Sequence, residues 1–418
     1  MDNACSEPQQ EVVIIGAGFV AIATAMWLQK SGHKVTLVDP EPLAKGAYFG
    51  NACTIATYAN IPVGTPSTMK QLPNLLFNAN SPLSIKGSYL PRLTPWLLRF
   101  AWASRPSQVA HIGHQLSVLL SHALSALEPL IDETQGHDLI RKNGTLYLYG
   151  SEAGFIKAKP DIELRLSNGI PVTQLKKAEI SDLEPHLKPL YERGLFFENA
   201  QQLLSPLSLL QRMAESVIAK GGKIITNKAL GIERISAEKL KVQLQGTTLL
   251  ADKVVVAAGA WSKSLARQIG DKVPLDTEQG YHVMYKGAQK LLNRPVGWAD
   301  VGFYMTPMND GLRAAGTVEL AGLNNPINPQ RLKLIADTVK TLLPQLSDHD
   351  SEWTGFRPSM PDSMPVIGQS SKDVGVYYAF GHGHIGVTLS GITGKLISEL
   401  IDGQPPSIDI SAFAAQRF

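Results

Sequence analysis

Residues 11–39 have the sequence EVVIIGAGFVAIATAMWLQKSGHKVTLVD, which is the most informative pattern in the chain. A run of β-branched residues ends at Gly16, and a turn of small residues follows it. The pattern predicts a buried strand over 11–15, a helix over 21–31 after the turn, and a second strand over 34–38. This order of elements is typical of the start of a doubly wound α/β fold.

Each part of the turn suits a bound dinucleotide. Gly16 permits the tight turn, and Gly18 lets the backbone approach a pyrophosphate. Phe19 and Val20 complete the turn, after which the helix offers free N–H groups and a partial positive charge to the diphosphate. Asp39, at the end of the second strand, is predicted to accept hydrogen bonds from a ribose diol. The pattern therefore predicts a dinucleotide site, and its position at the start of the chain favours FAD over NAD.

The composition is that of a large globular protein. The chain has 418 residues, 44% hydrophobic and 18% charged, which suits about two or three domains with a sizeable core. The net charge of +3 is too near neutral for a dedicated nucleic-acid binder. Cys5 and Cys53 are the two cysteines, too few for a disulfide scaffold or a cysteine metal site, and we predict no metal. Residues 1–10 lack a basic residue and an apolar core, so we expect no secretory signal and a cytoplasmic protein.

Residues 93–104 form an aromatic and leucine-rich segment with basic neighbours. Trp96, Leu97 and Phe100 share one face of the predicted helix, and Arg99 lies near it. Two interpretations stay open. The favoured one is a helix packed on its own domain, and the other is a peripheral contact with the inner face of the cell membrane.

Two further segments of small residues are predicted to approach the cofactor. The loop over 46–57 has no charged residue, and a buried strand from Val254 ends in Ala-Gly-Ala. The residues that we place at the cofactor in these segments are Asn51, Ala52, Ala258, Gly259 and Trp261.

The rest of the chain alternates between helices and strands. A single amphipathic helix is predicted over 111–133, and further helices over 206–220 and 331–346. Residues 273–320 are predicted to form antiparallel strands. Because no repeat or flexible linker separates the two halves, we expect them to be interleaved.

The C-terminal segment makes the pattern specific to a family. Residues 355–358 have the sequence GFRP, and residues 381–386 have the sequence GHGHIG. With the N-terminal turn, Asn51-Ala52, residues 254–262 and Gly280-Tyr281, these motifs follow in order along nearly the whole chain. The chain resembles the D-amino acid oxidase superfamily of FAD-dependent oxidoreductases, and within it the bacterial D-amino acid dehydrogenases of amino acid catabolism.

The resemblance implies a fold and a division into domains. The fold class is α/β, with a Rossmann-like FAD-binding domain interleaved with an α+β substrate domain built on an antiparallel sheet. The expected bounds are 10–65, 195–265 and 350–418 for the FAD-binding domain, and 66–194 and 266–349 for the substrate domain.

The resemblance also implies residue roles. Arg357 matches the arginine that holds a substrate carboxylate, and a guanidinium can do so through two parallel hydrogen bonds. Tyr281 stands where relatives have a substrate-facing aromatic residue, so its hydroxyl is a candidate second carboxylate donor, with core packing as the alternative. His384 is expected near the flavin, where it contacts a hydroxyl or the substrate amine, or caps the next helix.

The closing loop is expected to meet the flavin through its backbone. Glycines there let N–H groups approach the ring, and a helix from about Ile385 points its positive end at N1 and the C2 carbonyl. The residues assigned to the cofactor in this loop are Gly381, Gly383, His384, Ile385 and Gly386.

The activity implied is oxidative deamination of a D-amino acid. A hydride passes from the α-carbon to flavin N5, the resulting imine gives a 2-oxo acid, and the electrons go to a quinone or another carrier. The alternatives are a D-hydroxyproline or D-proline dehydrogenase, an oxygen-using oxidase of the glycine or sarcosine type, and a flavin-bearing subunit without turnover. The C-terminal half lacks a cysteine, which argues against a covalent cysteine–flavin link.

Overall fold

The structure is a computed structural model that describes residues 9–43, 46–70, 81 and 83–418. Most of the segment 1–10 that we examined for a secretory signal, including Cys5, lies outside the described residues. So does part of the expected substrate-domain segment 66–194.

A six-stranded sheet has the first strand of the chain near its centre. Its strands, in order across the sheet, are Lys223–Thr226, Lys34–Asp39, Glu11–Ile15, Lys253–Val256, Val376–Phe380 and Val366–Gln369. The first five are parallel, and the last pairs antiparallel with its neighbour. The two strands at the centre are buried on both faces, which is why their sequences are almost unbroken runs of valine and isoleucine.

Three helices pack together against this sheet. Phe19–Lys30 begins two residues earlier than predicted, and it contacts Pro206–Ala219 and Ser390–Ile401. A Cβ atom on Gly394 would lie 2.8 Å from backbone atoms of Ala23, so glycine lets the last helix touch the first. The same tight packing fixes where the C-terminal segment crosses the sheet.

A second, nine-stranded sheet forms the other half of the molecule. Its strands, in order, are Ser351–Ser359, Asp276–Lys286, Gly311–Leu320, Phe303–Met308, Val296–Trp298, Thr145–Tyr149, Arg193–Phe197 and Thr173–Lys176, with Leu83–Ile85 paired to Gly311–Leu320. Most neighbours are antiparallel, as expected. The sheet is nevertheless mixed, because Val296–Trp298 and Leu83–Ile85 each pair parallel with a neighbour.

The two faces of the nine-stranded sheet have different neighbours. Helix Pro329–Leu342, predicted over 331–346, packs on one face with the largest apolar side chains of the sheet. The other face receives the loop around Asn51, because Arg313 and Thr306 donate hydrogen bonds to its backbone carbonyls. That second face is therefore covered in part by the loop around Asn51.

Two consecutive helices lie between residues 106 and 133. The helix predicted over 111–133 is in fact two, Pro106–Ser121 and Ala123–Glu133, so that prediction is wrong. The first helix ends in a tightened turn in which the His122 N–H group bonds to the Leu119 carbonyl. The second packs its Ala126 backbone against Gly391, and this long-range contact sets its direction.

The remaining elements include five more helices and two small sheets. The five helices are Leu90–Ala103, Glu152–Lys157, Lys159–Ser167, Lys177–Leu183 and Ser262–Ile269. The two sheets have three strands each, one of Ala229–Arg234, Leu240–Leu244 and Thr247–Ala251, the other of Thr54–Ile55, Gln201–Leu203 and Ile140–Arg141. Within the described ranges, no helix has the length and apolar character that a membrane span requires.

The two sheets match the expected fold class of an α/β protein with interleaved halves. Every strand of the six-stranded sheet falls in the segments assigned to the FAD-binding domain. Strand Ser351–Ser359 belongs to the nine-stranded sheet although it lies in the segment 350–418, and Arg193–Phe197 straddles the bound at 194. The domain bounds themselves stay a prediction.

Candidate active site

The glycine turn is held by contacts with two neighbouring strands. Gly16 has φ +121°, and a Cβ atom there would lie 2.3 Å from the Ala257 carbonyl oxygen. Gly18 has an extended backbone, and a Cβ atom there would meet nothing within 4 Å. The helix begins at the next residue, so the first N–H groups of the helix lack intrahelical acceptors beside this open space.

Asp39 braces the turn from the adjacent strand. Its carboxylate accepts the N–H of Ala17 at 2.9 Å and the N–H of Glu41 at 2.8 Å. Burial raises the pKa of Asp39, and these two N–H groups oppose that rise. The structure thus places Asp39 at the turn; contact with a ribose stays a prediction.

The loop that carries Asn51 and Ala52 is anchored to the nine-stranded sheet. The Asn51 side-chain oxygen accepts the N–H of Cys53 at 2.9 Å, and the Ala52 carbonyl accepts the Thr306 hydroxyl at 2.7 Å. Arg313 donates to the Asn51 carbonyl at 3.3 Å. Both predicted residues are therefore held against the nine-stranded sheet.

The residues after strand Lys253–Val256 lie at its carboxyl end. Gly259 has φ +53°, and a Cβ atom there would meet nothing within 4 Å. Trp261 is 56% exposed, and its ring meets that of Phe356 edge-on, with 6.3 Å between the centroids. Gly259 therefore borders open space, as Gly18 does, and Trp261 contacts the strand that carries Arg357.

The closing loop passes beside the same strand. Gly381 and Gly383 both have positive φ, and the Gly383 N–H donates to the Pro358 carbonyl at 2.8 Å. A Cβ atom on Gly383 would meet nothing within 4 Å. Ile385 is buried, whereas Gly386 is partly exposed. The regular helix begins at Ser390 rather than near Ile385, because residues 384–389 form turns before it.

His382 and His384 of this loop have different surroundings. His382 is buried and its Nε2 is 2.9 Å from the Thr393 hydroxyl, and burial lowers its pKa to about 3. His384 is exposed over 43% of its side chain, and its Nε2 is 2.7 Å from Glu278 Oε2. His384 thus bonds to an acidic side chain on another strand and does not cap the following helix through this nitrogen.

Arg357 lies on the face of the nine-stranded sheet that meets the closing loop. It pairs with Glu278 across the strands, and its guanidinium lies where a Cβ atom on Gly280 would otherwise point, 2.3 Å from that position. Its Nη1 donates to the Thr317 carbonyl at 3.2 Å. Burial lowers the pKa of Arg357 and Glu278 opposes this, but an arginine stays protonated in a protein.

Glu278 is the site residue that the sequence reasoning missed. It is 4% exposed, and it lies between Arg357 and His384. Burial alone would raise the pKa of Glu278, but its interactions with His384 and Arg357 outweigh burial and lower that pKa. Glu278 is therefore a carboxylate anion in a buried position. An acidic residue within an apolar strand, two residues before the quoted Gly280-Tyr281 pair, was the available signal.

Tyr281 lies on the opposite face of the sheet from Arg357. Successive side chains on a strand alternate between faces, and the Arg357 guanidinium covers the face of Gly280. Tyr281 is fully buried, and its hydroxyl donates to Glu319 Oε2 at 2.5 Å. The structure does not bring Tyr281 to Arg357, so we leave it out of the substrate site that we propose.

Replacement of Tyr281 checks this placement. We expect Tyr281→Phe to lower the free energy of unfolding by about 1–3 kcal/mol, because the buried Glu319 carboxylate loses a donor. The KM for an amino acid substrate should stay within about twofold of the wild type, since the hydroxyl does not face the site. Denaturant unfolding and steady-state kinetics measure the two effects. A raised KM with unchanged stability would show that the hydroxyl binds substrate.

Three of the glycines predicted to bind the cofactor leave room beside the backbone for a bound molecule. Gly18, Gly259 and Gly383 come from three separate loops, and at each a Cβ atom would project into free space. A glycine turn after the first strand of a parallel sheet, together with a second, larger sheet, is typical of two-part dinucleotide-binding proteins. Residues 11–400 match the model of the FAD dependent oxidoreductase family, DAO, and the chain belongs to this family. Its members depend on FAD, so the expected cofactor is confirmed.

Relatives and solved structures agree with this family. The chain is 35% identical over 422 residues to a D-amino-acid oxidase of Bradyrhizobium diazoefficiens, with 98% of this chain and 99% of that protein covered. It is 30% identical over 420 residues to a D-amino acid dehydrogenase of Paramagnetospirillum magneticum, again covering 98% and 99%. Glycine oxidase from Geobacillus kaustophilus has a similar fold, with a TM-score of 0.79, 20% identity and coverage of 98% and 99%. The chain is thus an FAD-dependent oxidoreductase.

Proposed function

We propose that the protein oxidises a D-amino acid to an imine, which water converts to a 2-oxo acid and ammonia. The observation that carries this proposal is the Arg357 guanidinium, which sits on the sheet face beside the closing loop and can grip a carboxylate through two hydrogen bonds. The names of the relatives at 35% and 30% identity support an amino acid substrate and the D configuration.

The residues that would hold FAD are those that border the open positions. We propose that the N–H groups at Phe19 and Val20 face the diphosphate, and that Asp39 reaches the ribose. The flavin would then lie among Asn51, Ala52, Ala258, Gly259 and the loop 381–386. When bound, FAD supplies the two-electron oxidation by taking a hydride from the substrate α-carbon at N5. Arg357 orients the substrate for that transfer.

Anaerobic bleaching of the flavin tests the proposed reaction. The purified holoenzyme is mixed without oxygen with a panel of D- and L-amino acids that includes D-proline and the hydroxyproline isomers. We expect loss of the oxidised flavin absorbance with at least one D-amino acid, and none with its L enantiomer. Bleaching by no member of the panel, or by L-amino acids alone, would contradict the proposal.

The proposed electron acceptor is a quinone or another carrier rather than oxygen. A second candidate, an oxygen-using oxidase, is favoured by the name of the relative at 35% identity. Peroxide formation decides between them. During turnover in air, a dehydrogenase should form much less than one peroxide per imine, and addition of a soluble quinone should accelerate turnover. One peroxide per imine with no effect of quinone would establish the oxidase.

We propose a peripheral membrane contact through helix Leu90–Ala103, though not through the face that the sequence suggested. Trp96 and Phe100 are buried, with stacked rings 5.2 Å apart. Leu98 and Trp102, one turn apart, are 68% and 52% exposed, and the basic Arg105 follows them. An exposed apolar pair beside a cation suits the surface of an anionic membrane.

Vesicle binding checks the membrane proposal. We expect Leu98→Glu combined with Trp102→Glu to abolish co-sedimentation with vesicles that contain anionic lipid, and to leave turnover with a soluble quinone unchanged. A matched control is Ile218→Glu, which changes a residue with 54% exposure on a different helix. Equal sedimentation of the wild type, the double variant and the control would exclude this contact.

A further inference from the structure

Glu278 is a buried anion inside the candidate substrate site. Its carboxylate bonds to His384 at 2.7 Å and neighbours Arg357 on the paired strand. An ionised carboxylate costs much free energy to bury unless charged or hydrogen-bonded partners compensate it. Here one partner is the arginine proposed to bind the substrate carboxylate, and the other is a histidine that keeps 43% of its side chain exposed.

The bond to Glu278 determines which nitrogen of His384 is free. An ionised carboxylate accepts hydrogen bonds and does not donate them, so Nε2 of His384 carries the hydrogen of this bond. In the neutral ring, Nδ1 then holds a lone pair. A histidine oriented in this way by a buried carboxylate is suited to accept a proton, because the anion stabilises the imidazolium that forms.

An amino acid that binds through Arg357 brings its ammonium group to the same place. The carboxylate and the ammonium of an amino acid are joined to one carbon, and Glu278 is the cross-strand partner of Arg357. Residues of opposite charge on paired strands thus match the two charges of a zwitterion. His384 stands next to Glu278, on the loop that closes this face.

We propose that His384 accepts a proton from the α-ammonium group of the substrate, and that Glu278 positions His384 and balances the charge which it gains; this inference rests on the proposed function. An N–H bond of the ammonium group breaks, its electron pair stays on the substrate nitrogen, and a new N–H bond forms at Nδ1 of His384. The total charge of the site is unchanged. The neutral amine can then use its lone pair to stabilise the carbon that loses a hydride.

Other titratable groups around the pair have partners of their own. They are Asp276, Glu319 and His382, on the strands and the loop that pack against it. Asp276 accepts the Tyr89 hydroxyl, and Glu319 accepts that of Tyr281 on the opposite face. The pKa of His382 is about 3, so this residue is neutral at the pH values that matter here. The titratable groups that interact with Glu278 are therefore Arg357 and His384.

The pH dependence of flavin reduction is the first test. Reduction by a D-amino acid active with the wild type is followed by anaerobic stopped flow between pH 6 and about pH 10.5. For His384→Gln we expect a rate about 100-fold below the wild type at pH 7, recovering to within about threefold where the amine loses its proton in solution. Glu278→Gln should show the same pH dependence, with a smaller loss of reduction rate at pH 7 than His384→Gln.

A matched control is His349→Gln. His349 also bonds to a glutamate, with Nε2 2.8 Å from Glu352 Oε1, but this pair lies on the surface. Its profile should coincide with that of the wild type. If the His384→Gln profile also coincides with the wild type, or if its deficit is the same at every pH, His384 does not accept the proton.

Binding of ligands that cannot react is the second test. 2-Aminoisobutyrate has the ammonium and carboxylate groups but no α-hydrogen, and isobutyrate lacks the amine. Their dissociation constants follow from perturbation of the flavin spectrum. We expect Glu278→Gln to raise the dissociation constant of 2-aminoisobutyrate by about tenfold, because the ammonium group loses a nearby anion. The dissociation constant of isobutyrate should stay the same or fall, because an anion near the carboxylate site is removed. If Glu278→Gln raised the dissociation constants of both ligands equally, Glu278 would only hold Arg357 in place and would not act on the substrate amine.

These outcomes separate the two proposals. If no amino acid bleaches the wild-type flavin, the proposed function fails. If the wild type is bleached and the variants show neither the pH effect nor the selective loss of 2-aminoisobutyrate, the proposed function stands and the role of Glu278 and His384 is refuted.

Discussion

Arg357→Ala is expected to lower kcat/KM for a D-amino acid by at least about 100-fold, or about 3 kcal/mol. The substitution removes the donors proposed to hold the substrate carboxylate, and it also leaves the buried Glu278 carboxylate without its cationic neighbour on the paired strand. If Arg357 binds the substrate carboxylate equally strongly in the ground state and in the transition state, the loss should appear mainly as a higher KM. If Arg357 also aligns the α-carbon, both kcat and KM should change.

Two further variants make this result specific. Arg357→Lys keeps the charge but not the planar fork, so it should recover part of the lost kcat/KM and not all of it. Arg141→Ala removes an exposed arginine on a short strand outside the site, and it should match the wild type. Steady-state kinetics with one D-amino acid serve for all three. An Arg357→Ala enzyme within twofold of the wild type would remove the assignment of this residue.

Gly18→Leu should produce a folded protein that does not retain FAD. The backbone of Gly18 is extended, with φ −79°, and a Cβ atom there would meet no protein atom within 4 Å, so the folded chain accommodates a side chain. The same side chain would occupy the space beside the first N–H groups of the helix, where we place the diphosphate. We expect the dissociation constant of FAD to rise by about 100-fold or more.

A glycine elsewhere provides the control for this variant. Gly87 is exposed, and a Cβ atom there would also meet nothing within 4 Å. Gly87→Leu should keep both its fold and its FAD, as measured by circular dichroism and by flavin absorbance after gel filtration. Equal flavin content in the two variants would show that the diphosphate does not lie at Gly18.

Local sequence predicted the first two strands of the six-stranded sheet well, because the signals for them lie within 30 residues. The strand Glu11–Ile15, the turn at Gly16 and the strand Lys34–Asp39 all appear where the pattern placed them. The start of the first helix was shifted by two residues, since Phe19 and Val20 already have helical geometry. A buried strand next to a glycine turn can form few alternative structures, so neighbouring residues specify this part of the fold.

The residues that face Arg357 could not be predicted from sequence, because they depend on pairing between strands that are far apart in the chain. Whether Tyr281 or Glu278 faces Arg357 depends on the register between Asp276–Lys286 and Ser351–Ser359, which lie more than 60 residues apart in sequence. The register places Glu278 with Arg357 and sends Tyr281 to the opposite face, and no local pattern specifies it. The second of the two helices that meet at His122 likewise packs against Gly391, far along the chain. The contact between His384 and Glu278 has the same origin.

A crystal structure of the holoenzyme with 2-aminoisobutyrate would locate the substrate directly. The distances to measure are those from the two carboxylate oxygens of the ligand to the guanidinium nitrogens of Arg357. The proposed function predicts two distances of about 2.7–2.9 Å, with the α-carbon between Arg357 and the flavin. A ligand carboxylate held by other residues, with the Arg357 guanidinium out of hydrogen-bond reach, would contradict it.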